Sequence, residues 1–171
     1  MNGKVNIVFG LLYFAATALL GPVLLVPGKG GNFQKMAEAT RAVEKVRTES
    51  AGGEPSAGSL GEAVTGIMDY LRDINRIGFV KSAAHAHGNL EALLNVVAGL
   101  VILTLVVPSS YKTILSLLFL IGAVFHSGML YLVSVFGIRW AGNLTFIGAV
   151  AIIAGLVLLG AASIVGIRKA G

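Results

Sequence analysis

Four apolar stretches, each long enough to cross the hydrocarbon core of a bilayer as a helix of about 20 residues, constrain this chain most strongly. They cover about residues 5–26, 84–107, 113–136 and 142–167. A backbone in lipid must satisfy its polar groups internally, so each stretch is predicted to be an α-helix. We therefore predict an all-α integral membrane four-helix bundle, with residues 1–171 forming a single membrane domain.

The composition agrees with a membrane protein. Hydrophobic residues make up 56% of the chain and charged residues 12%, which lies outside the range of soluble globular domains. The chain has no cysteine, which excludes disulfides, thiolate metal ligands and cysteine nucleophiles. The net charge of +5 forms no basic stripe interleaved with aromatic residues, so we predict no nucleic-acid partner.

The connections between the apolar stretches indicate the topology. Pro108 ends the second stretch, and Gly137 with Arg139 and Trp140 separates the third from the fourth. Both connections are short, so the second, third and fourth helices are predicted to be antiparallel neighbours. The first stretch is too long for the apolar region of a signal peptide and lacks a clean cleavage site, so we interpret it as a retained anchor.

A polar insert, residues 30–83, separates the first two stretches and is predicted to be an extramembrane amphipathic helical hairpin. Apolar residues recur at helical steps over Phe33–Glu49, residues 51–58 have the composition of a turn, and a second helix follows from Ser59. This second helix carries a heptad-like stripe of Leu60, Val64, Ile67, Leu71 and Ile74. The stripe fits packing between the hairpin's own helices, which we favour, or association with a partner.

The distribution of cations predicts the orientation and surroundings. Nine of the 13 Lys and Arg residues lie in the first and third connections between the apolar stretches, namely Lys29, Lys35, Arg41, Lys45, Arg47, Arg72, Arg76, Lys81 and Arg139. Cations near membrane helices favour the cytoplasmic side, so the hairpin is predicted to be cytoplasmic. We expect a multi-pass protein of a bacterial or archaeal-type inner membrane. Its expected partners are the lipid bilayer and other protein chains. These chains are either further copies of this chain, for example in a trimer, or the subunits of a larger membrane complex.

A polar cluster opens the second apolar stretch. His87, Glu91 and Asn95 are four residues apart and therefore project from one helical face. Counting the helical rise outward from the turn at Pro108 places His126 level with a point between Glu91 and Asn95, and Tyr131 level with His87. Ionisable groups in membrane helices are costly and usually serve a ligand or a partner, so we predict a site here.

Other polar residues near this layer have secondary roles in the prediction. His85 lies about 200° around the helix from His87, so we expect it at the membrane interface and keep it as an alternative metal ligand. Tyr13, Ser127 and Met129 are expected to approach the same cavity. Glu91 is the only deep acid, which argues against a site with two bridged metals.

Three chemistries fit this layer. The first is haem b, held by one imidazole against apolar walls, with four glycines admitting the flat macrocycle: Gly88, Gly99, Gly122 and Gly128. The second is a single divalent metal bound by His87, Glu91 and His126. The third is a proton relay through the carboxylate and the histidines. A purely structural interpretation, in which these groups hydrogen-bond between helices, is the alternative.

The run Ala86–Asn89, with Asn95 one to two turns later, resembles the start of the second helix in the styrene oxide isomerases. That resemblance implies a four-helix trimer with haem b between protomers, ferric iron acting as a Lewis acid on an epoxide, and His87 as its axial ligand. It also implies a substrate-orienting role for Asn95, beside which we place Tyr131 as a second catalytic candidate. The His87–Gly88 step is similar to the haem-ligating helix of haem–copper oxidase subunit I.

The sequence thus predicts an integral membrane protein that binds haem b and acts as a Lewis-acid isomerase or as a redox component. His87, Glu91 and His126 are the predicted cofactor-binding residues, with His87 on the iron. Two alternatives remain open at this point. One is a non-catalytic accessory subunit of a larger membrane complex, and the other is a small proton or ion pathway.

Overall fold

A computed structural model describes residues Gly3–Gly166, and these residues form helices and short connections without a β-strand. Within them, four helical runs are long and apolar enough to cross a membrane: Lys4–Gly52, Ala57–Thr104, Ser109–Phe136 and Arg139–Gly166. The predicted all-α class with four long apolar helices is therefore confirmed. Ile167, with which the predicted fourth stretch ends, lies outside the described residues.

The described chain contains seven α-helices and four short helical turns of other types. The α-helices are α1 (Lys4–Ala18), α2 (Val26–Gly52), α3 (Ala57–Phe79), α4 (Gly88–Thr104), α5 (Ser109–Ala123), α6 (Met129–Phe136) and α7 (Thr145–Gly166). The turns are π-helical at Gly21–Leu25, Val80–His87 and Val124–Gly128, and 3₁₀-helical at Arg139–Leu144. The chain divides into two compact units, one of Met1–Leu20 with Val80–Gly171 and one of Gly21–Phe79.

In the first unit, α4 packs against both α1 and α5, and α5 packs against α7. Large apolar side chains fill the centre of this arrangement, where Ile102, Leu115 and Phe119 are fully buried. Gly137, at φ 70°, ends α6 in the left-handed conformation that favours glycine. The predicted adjacency of the second, third and fourth helices is confirmed by these contacts.

Glycines in this unit serve helix packing, and the prediction that Gly88, Gly99 and Gly122 admit a macrocycle is wrong. A Cβ atom at Gly88 would lie 2.5 Å, and one at Gly99 2.8 Å, from a side-chain atom of α1, and a Cβ at Gly122 would lie 2.4 Å from an atom of α7. The space beside each glycine is already occupied by a neighbouring helix. Small residues at these positions let the backbones approach closely, which favours van der Waals packing between membrane helices.

The second unit is the predicted helical hairpin, formed by α2 and α3. Its helices meet along a seam of small and polar residues, with the Gly66 position packed on Ala39. In α3 the seam residues are the least exposed: Ser59, Ala63, Gly66, Tyr70, Asp73 and Ile77. Ion pairs join the two helices, with Lys45 2.9 Å from Glu62 and Lys35 2.8 Å from Asp73.

The apolar stripe of α3 does not lie in this seam. The five side chains from Leu60 to Ile74 that define the stripe keep between 39% and 61% of their surface exposed. Our interpretation that the stripe packs against the hairpin's own other helix is therefore wrong. The seam residues Ser59, Ala63 and Gly66 each precede a stripe residue by one position. Because they are smaller, they allow α2 to approach closely on their face of α3 and not on the face of the stripe.

Candidate metal centre

Two π-helical turns carry the histidines of the predicted site. His87 is the last residue of the turn Val80–His87, and His126 lies in the middle of Val124–Gly128. A π-helical turn inserts an extra residue into an α-helical run and is frequent at functional sites, because it alters the direction of the side chains around it. Neither turn is evident from the apolar pattern of the sequence.

Glu91 is the centre of a buried hydrogen-bond network. Its side chain is 5% exposed, and one carboxylate oxygen pairs with Nδ1 of His126. The other oxygen accepts hydrogen bonds from Ser127, at 2.6 Å from the hydroxyl and 3.2 Å from the backbone N–H. The predicted proximity of Glu91 and His126 is therefore confirmed. Since Glu91 occupies Nδ1, Nε2 is the nitrogen of His126 left for a ligand.

His87 completes the group. Its ring lies 5.1 Å from the ring of His126, edge to face at 87°. One ligand atom from each of His87, Glu91 and His126 lies within 4.8 Å of the other two. Two imidazoles and a carboxylate at this spacing form a group that could hold a metal ion. His87 is exposed, whereas Glu91 is buried and His126 is half-buried.

An apolar cavity of about 400 Å³ adjoins the three groups. Its walls are formed by His87, Leu90, Glu91, Leu94, His126, Ala149, Ile152, Ile153 and Leu156. Leu90 and Ile153 are each 63% exposed, so the cavity opens on one side of the unit. The two histidines and one carboxylate are the only ionisable groups that line it within the described residues.

Asn95 lies one turn beyond Glu91 in a separate polar network and does not line the cavity. Its amide N–H groups donate to the backbone oxygens of Glu91 and Phe119, and its oxygen accepts from Asn6 at 3.0 Å. Asn6 is in turn bonded to the hydroxyl and the backbone oxygen of Ser116. All three side chains in this network are at most 1% exposed. This network joins α1, α4 and α5.

The remaining predicted residues are dispersed around the centre. None of Tyr13, Ser127 and Met129 is among the residues that line the cavity. Tyr13 instead reaches the Glu91 network, through a hydrogen bond of 2.8 Å between its hydroxyl and that of Ser127. Tyr131 packs on Phe136 and is not among the residues lining the cavity. His85 is bonded through Nδ1 to the backbone oxygen of Thr17 at 3.0 Å, outside the three-residue group.

Sequence reasoning missed Asn6 and Ser116, although a signal was present. Both are polar residues inside otherwise apolar stretches, which is the same signal that drew attention to Asn95.

Comparison with protein-family models, with curated protein sequences and with solved structures found no match to this chain.

Proposed function

We propose that this chain is a multi-pass integral membrane protein with a metal centre at His87, Glu91 and His126, and that the centre is the iron of a haem b. Membrane insertion is supported by the four long apolar helices. The single observation that carries the metal centre is the bond between Glu91 and Nδ1 of His126. A carboxylate on one imidazole nitrogen orients the ring and raises its basicity, as it does for metal-ligating histidines generally.

The ligand set favours haem iron over a bare ion. Both carboxylate oxygens of Glu91 accept hydrogen bonds from the protein, so Glu91 orients His126 and an imidazole nitrogen is left to bind the metal. A bare divalent ion held by two imidazoles needs water to complete its coordination, and water is poorly accommodated between leucine and isoleucine walls. An apolar cavity of about 400 Å³ suits the body of an organic macrocycle better.

We propose different roles for the two histidines. His126 would hold the iron through Nε2, because of the two histidines only His126 is oriented by a carboxylate. The resemblance instead implies His87 in that role. The ring contact of 5.1 Å leaves no room for a macrocycle between the histidines. His87 would therefore be a polar neighbour of the haem and not a second residue that holds it.

A haem held by His126 alone would supply ligand-binding or Lewis-acid chemistry, whereas electron transfer is typical of haem held by two histidines. The chain's own contribution is to orient His126 through Glu91 and Ser127 and to exclude water with apolar walls. We therefore place the isomerase form of the proposal before the redox form.

A bare divalent metal ion is the second candidate, and one observation favours it. The ligand atoms of all three residues already lie within 4.8 Å of one another, so a small rearrangement of Glu91 would bring three ligands onto one ion. This candidate requires Glu91 to exchange its bond with His126 for the metal.

Visible absorption and metal content separate these candidates. The full chain is purified in detergent after expression with adequate haem, and spectra are recorded oxidised and dithionite-reduced. We expect a Soret band that is lost in His126→Ala and only shifted in His87→Ala. His85→Ala, whose histidine lies outside the group, is the matched control and should retain the wild-type spectrum.

The other outcomes are equally definite. Stoichiometric metal without a Soret band, lost in both His87→Ala and His126→Ala, would select the bare ion. Neither haem nor metal would refute the metal centre and favour the accessory subunit. Transport activity abolished by Glu91→Gln in a metal-free protein would favour the proton pathway.

A further inference from the structure

Helix α1 reaches the candidate metal centre through two consecutive hydrogen bonds. The hydroxyl of the half-buried Tyr13 lies 2.8 Å from the hydroxyl of Ser127, which lies 2.6 Å from one carboxylate oxygen of Glu91. The other carboxylate oxygen pairs with Nδ1 of His126. A chain of three hydrogen bonds therefore joins a tyrosine of α1 to the imidazole whose Nε2 is left for a ligand.

The number of protons fixes the direction of these bonds. Each hydroxyl has one hydrogen to donate, whereas a carboxylate oxygen only accepts. Ser127 therefore donates to Glu91, and Tyr13 donates to the oxygen of Ser127. Both hydroxyls donate in the direction of the carboxylate, so a change at Tyr13 reaches Glu91 through Ser127.

Ser127 has a second acceptor within reach, and Tyr13 biases the choice between the two. The Ser127 hydroxyl oxygen is 3.2 Å from the backbone oxygen of Ala123, four residues earlier, to which a helical serine commonly donates. A hydrogen bond donated by Tyr13 polarises the Ser127 hydroxyl and strengthens its own donation, by roughly 10–30% per bond in such a chain. A stronger donor gains more from the negative charge of Glu91 than from a neutral carbonyl.

We infer that Tyr13 is a positioning residue of the metal centre, which acts through Ser127 to limit how strongly Glu91 attracts the Nδ1 proton of His126. The two carboxylate oxygens share one negative charge, and Ser127 donates both its hydroxyl and its backbone N–H to the same oxygen. Stronger donation there leaves less charge on the oxygen that faces Nδ1. The charge that the His126 ring can supply to a metal on Nε2 then depends on a tyrosine of α1. As far as it concerns a metal, this inference rests on the proposed function.

Thr17 provides a matched comparison with a hydrogen bond that only joins helices. It follows Tyr13 by four residues on α1, is 1% exposed, and has its hydroxyl 2.6 Å from Oδ1 of Asn89 in α4. Within the described residues, the Thr17 hydroxyl makes no hydrogen bond to Ser127 or Glu91. Thr17→Val therefore removes a buried hydrogen bond of α1 without changing the donors to Glu91.

¹⁵N NMR of His126 in the metal-free full chain, purified in detergent, tests the inference. The ring nitrogens are detected through the carbon-bound ring hydrogens, and His126→Ala identifies the resonances. We expect Tyr13→Phe to move the Nδ1 resonance towards that of imidazolate, because Glu91 then attracts the Nδ1 proton more strongly. Ser127→Ala should move it farther in the same direction, and the double variant should match Ser127→Ala alone, since Tyr13 acts only through Ser127. Thr17→Val should leave the resonance in place.

The haem-loaded protein gives a second readout, the reduction potential. A ring that carries more negative charge favours ferric over ferrous iron, because hydrogen bonds to an axial ligand alter the potential. At the wild-type midpoint potential, Tyr13→Phe should hold a ferric-to-ferrous ratio about 1.3- to 5-fold higher than wild type. This factor corresponds to a change of roughly 10–30% in a charge-assisted hydrogen bond.

An unmoved Nδ1 resonance in Tyr13→Phe would overturn the inference, as would an equal displacement in Thr17→Val or additive displacements in the double variant. An unchanged ferric-to-ferrous ratio in haem-loaded Tyr13→Phe would overturn the effect on the metal. The NMR measurement needs no metal, so a wild-type protein without haem would refute the haem centre and leave the Nδ1 displacement to decide the role of Tyr13.

Discussion

Replacing Glu91 by glutamine tests how the metal centre is built, because it changes one hydrogen bond and preserves the shape of the side chain. The backbone N–H of Ser127, 3.2 Å from Glu91, is a donor that cannot accept, so it fixes the glutamine oxygen towards Ser127. The glutamine NH₂ then faces Nδ1 of His126. Nδ1 must accept this hydrogen bond, which moves the ring proton to Nε2 and removes the lone pair that would bind metal.

The expected magnitude follows from these contacts. Loss of a partner that orients a ligating histidine typically lowers metal affinity 10- to 100-fold, or about 1.4–2.7 kcal/mol. The free energy of unfolding should change less. Both donors of Ser127 keep an acceptor, and at His126 a charge-assisted hydrogen bond is replaced by a neutral one, which costs about 1 kcal/mol of stability. The substitution thus separates binding from folding.

Titration of the metal-free protein with haemin and with Co²⁺ measures the Kd, and thermal unfolding in detergent measures stability. Ser127→Ala is the control, since it removes a hydroxyl donor and keeps the bond between Glu91 and His126, so the Kd should change far less. Unchanged affinity for both probes in Glu91→Gln, with ¹⁵N NMR showing the same ring tautomer as wild type, would refute this reasoning.

Three further predictions concern Asn95, Gly148 and Asp73. Asn95→Ala removes one of the two acceptors of the buried Asn6 amide and should lower the free energy of unfolding by about 1–3 kcal/mol, seen as a lower Tm with unchanged metal content. Gly148→Ala would place a methyl group 2.1 Å from the backbone nitrogen of His126, so we expect a cost of about 1–3 kcal/mol and weaker metal binding, whereas Gly160→Ala, with no atom within 4 Å, should alter neither. The hydrogen-bonded Lys35 ammonium lowers the pKa of Asp73, so the hairpin should lose stability as the pH falls below about 4, where the unfolded carboxyl becomes protonated. Amide hydrogen exchange in α2 and α3 measures this loss, which Asp73→Asn should diminish.

The fold was predictable to the extent that it depends on length and apolar content. The four long helices and the intervening hairpin follow from the patterns, because apolar runs of about 20 residues and turn composition are local properties. The seam of the hairpin was not predictable in the same way. Its residues are small or polar, so the larger Leu60 and Ile67 dominate the pattern although they lie on the exposed side.

The site was predictable where it depends on helical rise. Counting from the turn at Pro108 placed Glu91 and His126 at one level, and the structure pairs them, because the rise per residue varies little over four turns. The direction of each side chain was less predictable. Both histidines lie in π-helical turns, and an inserted residue changes the angular position of the neighbouring side chains around the helix axis.

Asn95 shows why four-residue spacing does not by itself assign one function to His87, Glu91 and Asn95. The spacing places the three residues on one face of α4, but different neighbours pack over successive turns of that face. Asn6 of α1 and the carbonyl of Phe119 in α5 saturate the Asn95 amide, so its polarity is fully used in joining three helices. Glu91 instead meets His126, whose Nε2 remains for a ligand. Since an amide satisfied in a buried network gains nothing from contact with a ligand, the proposed site ends at Glu91, and Asn95 determines where α1 lies rather than what the centre binds.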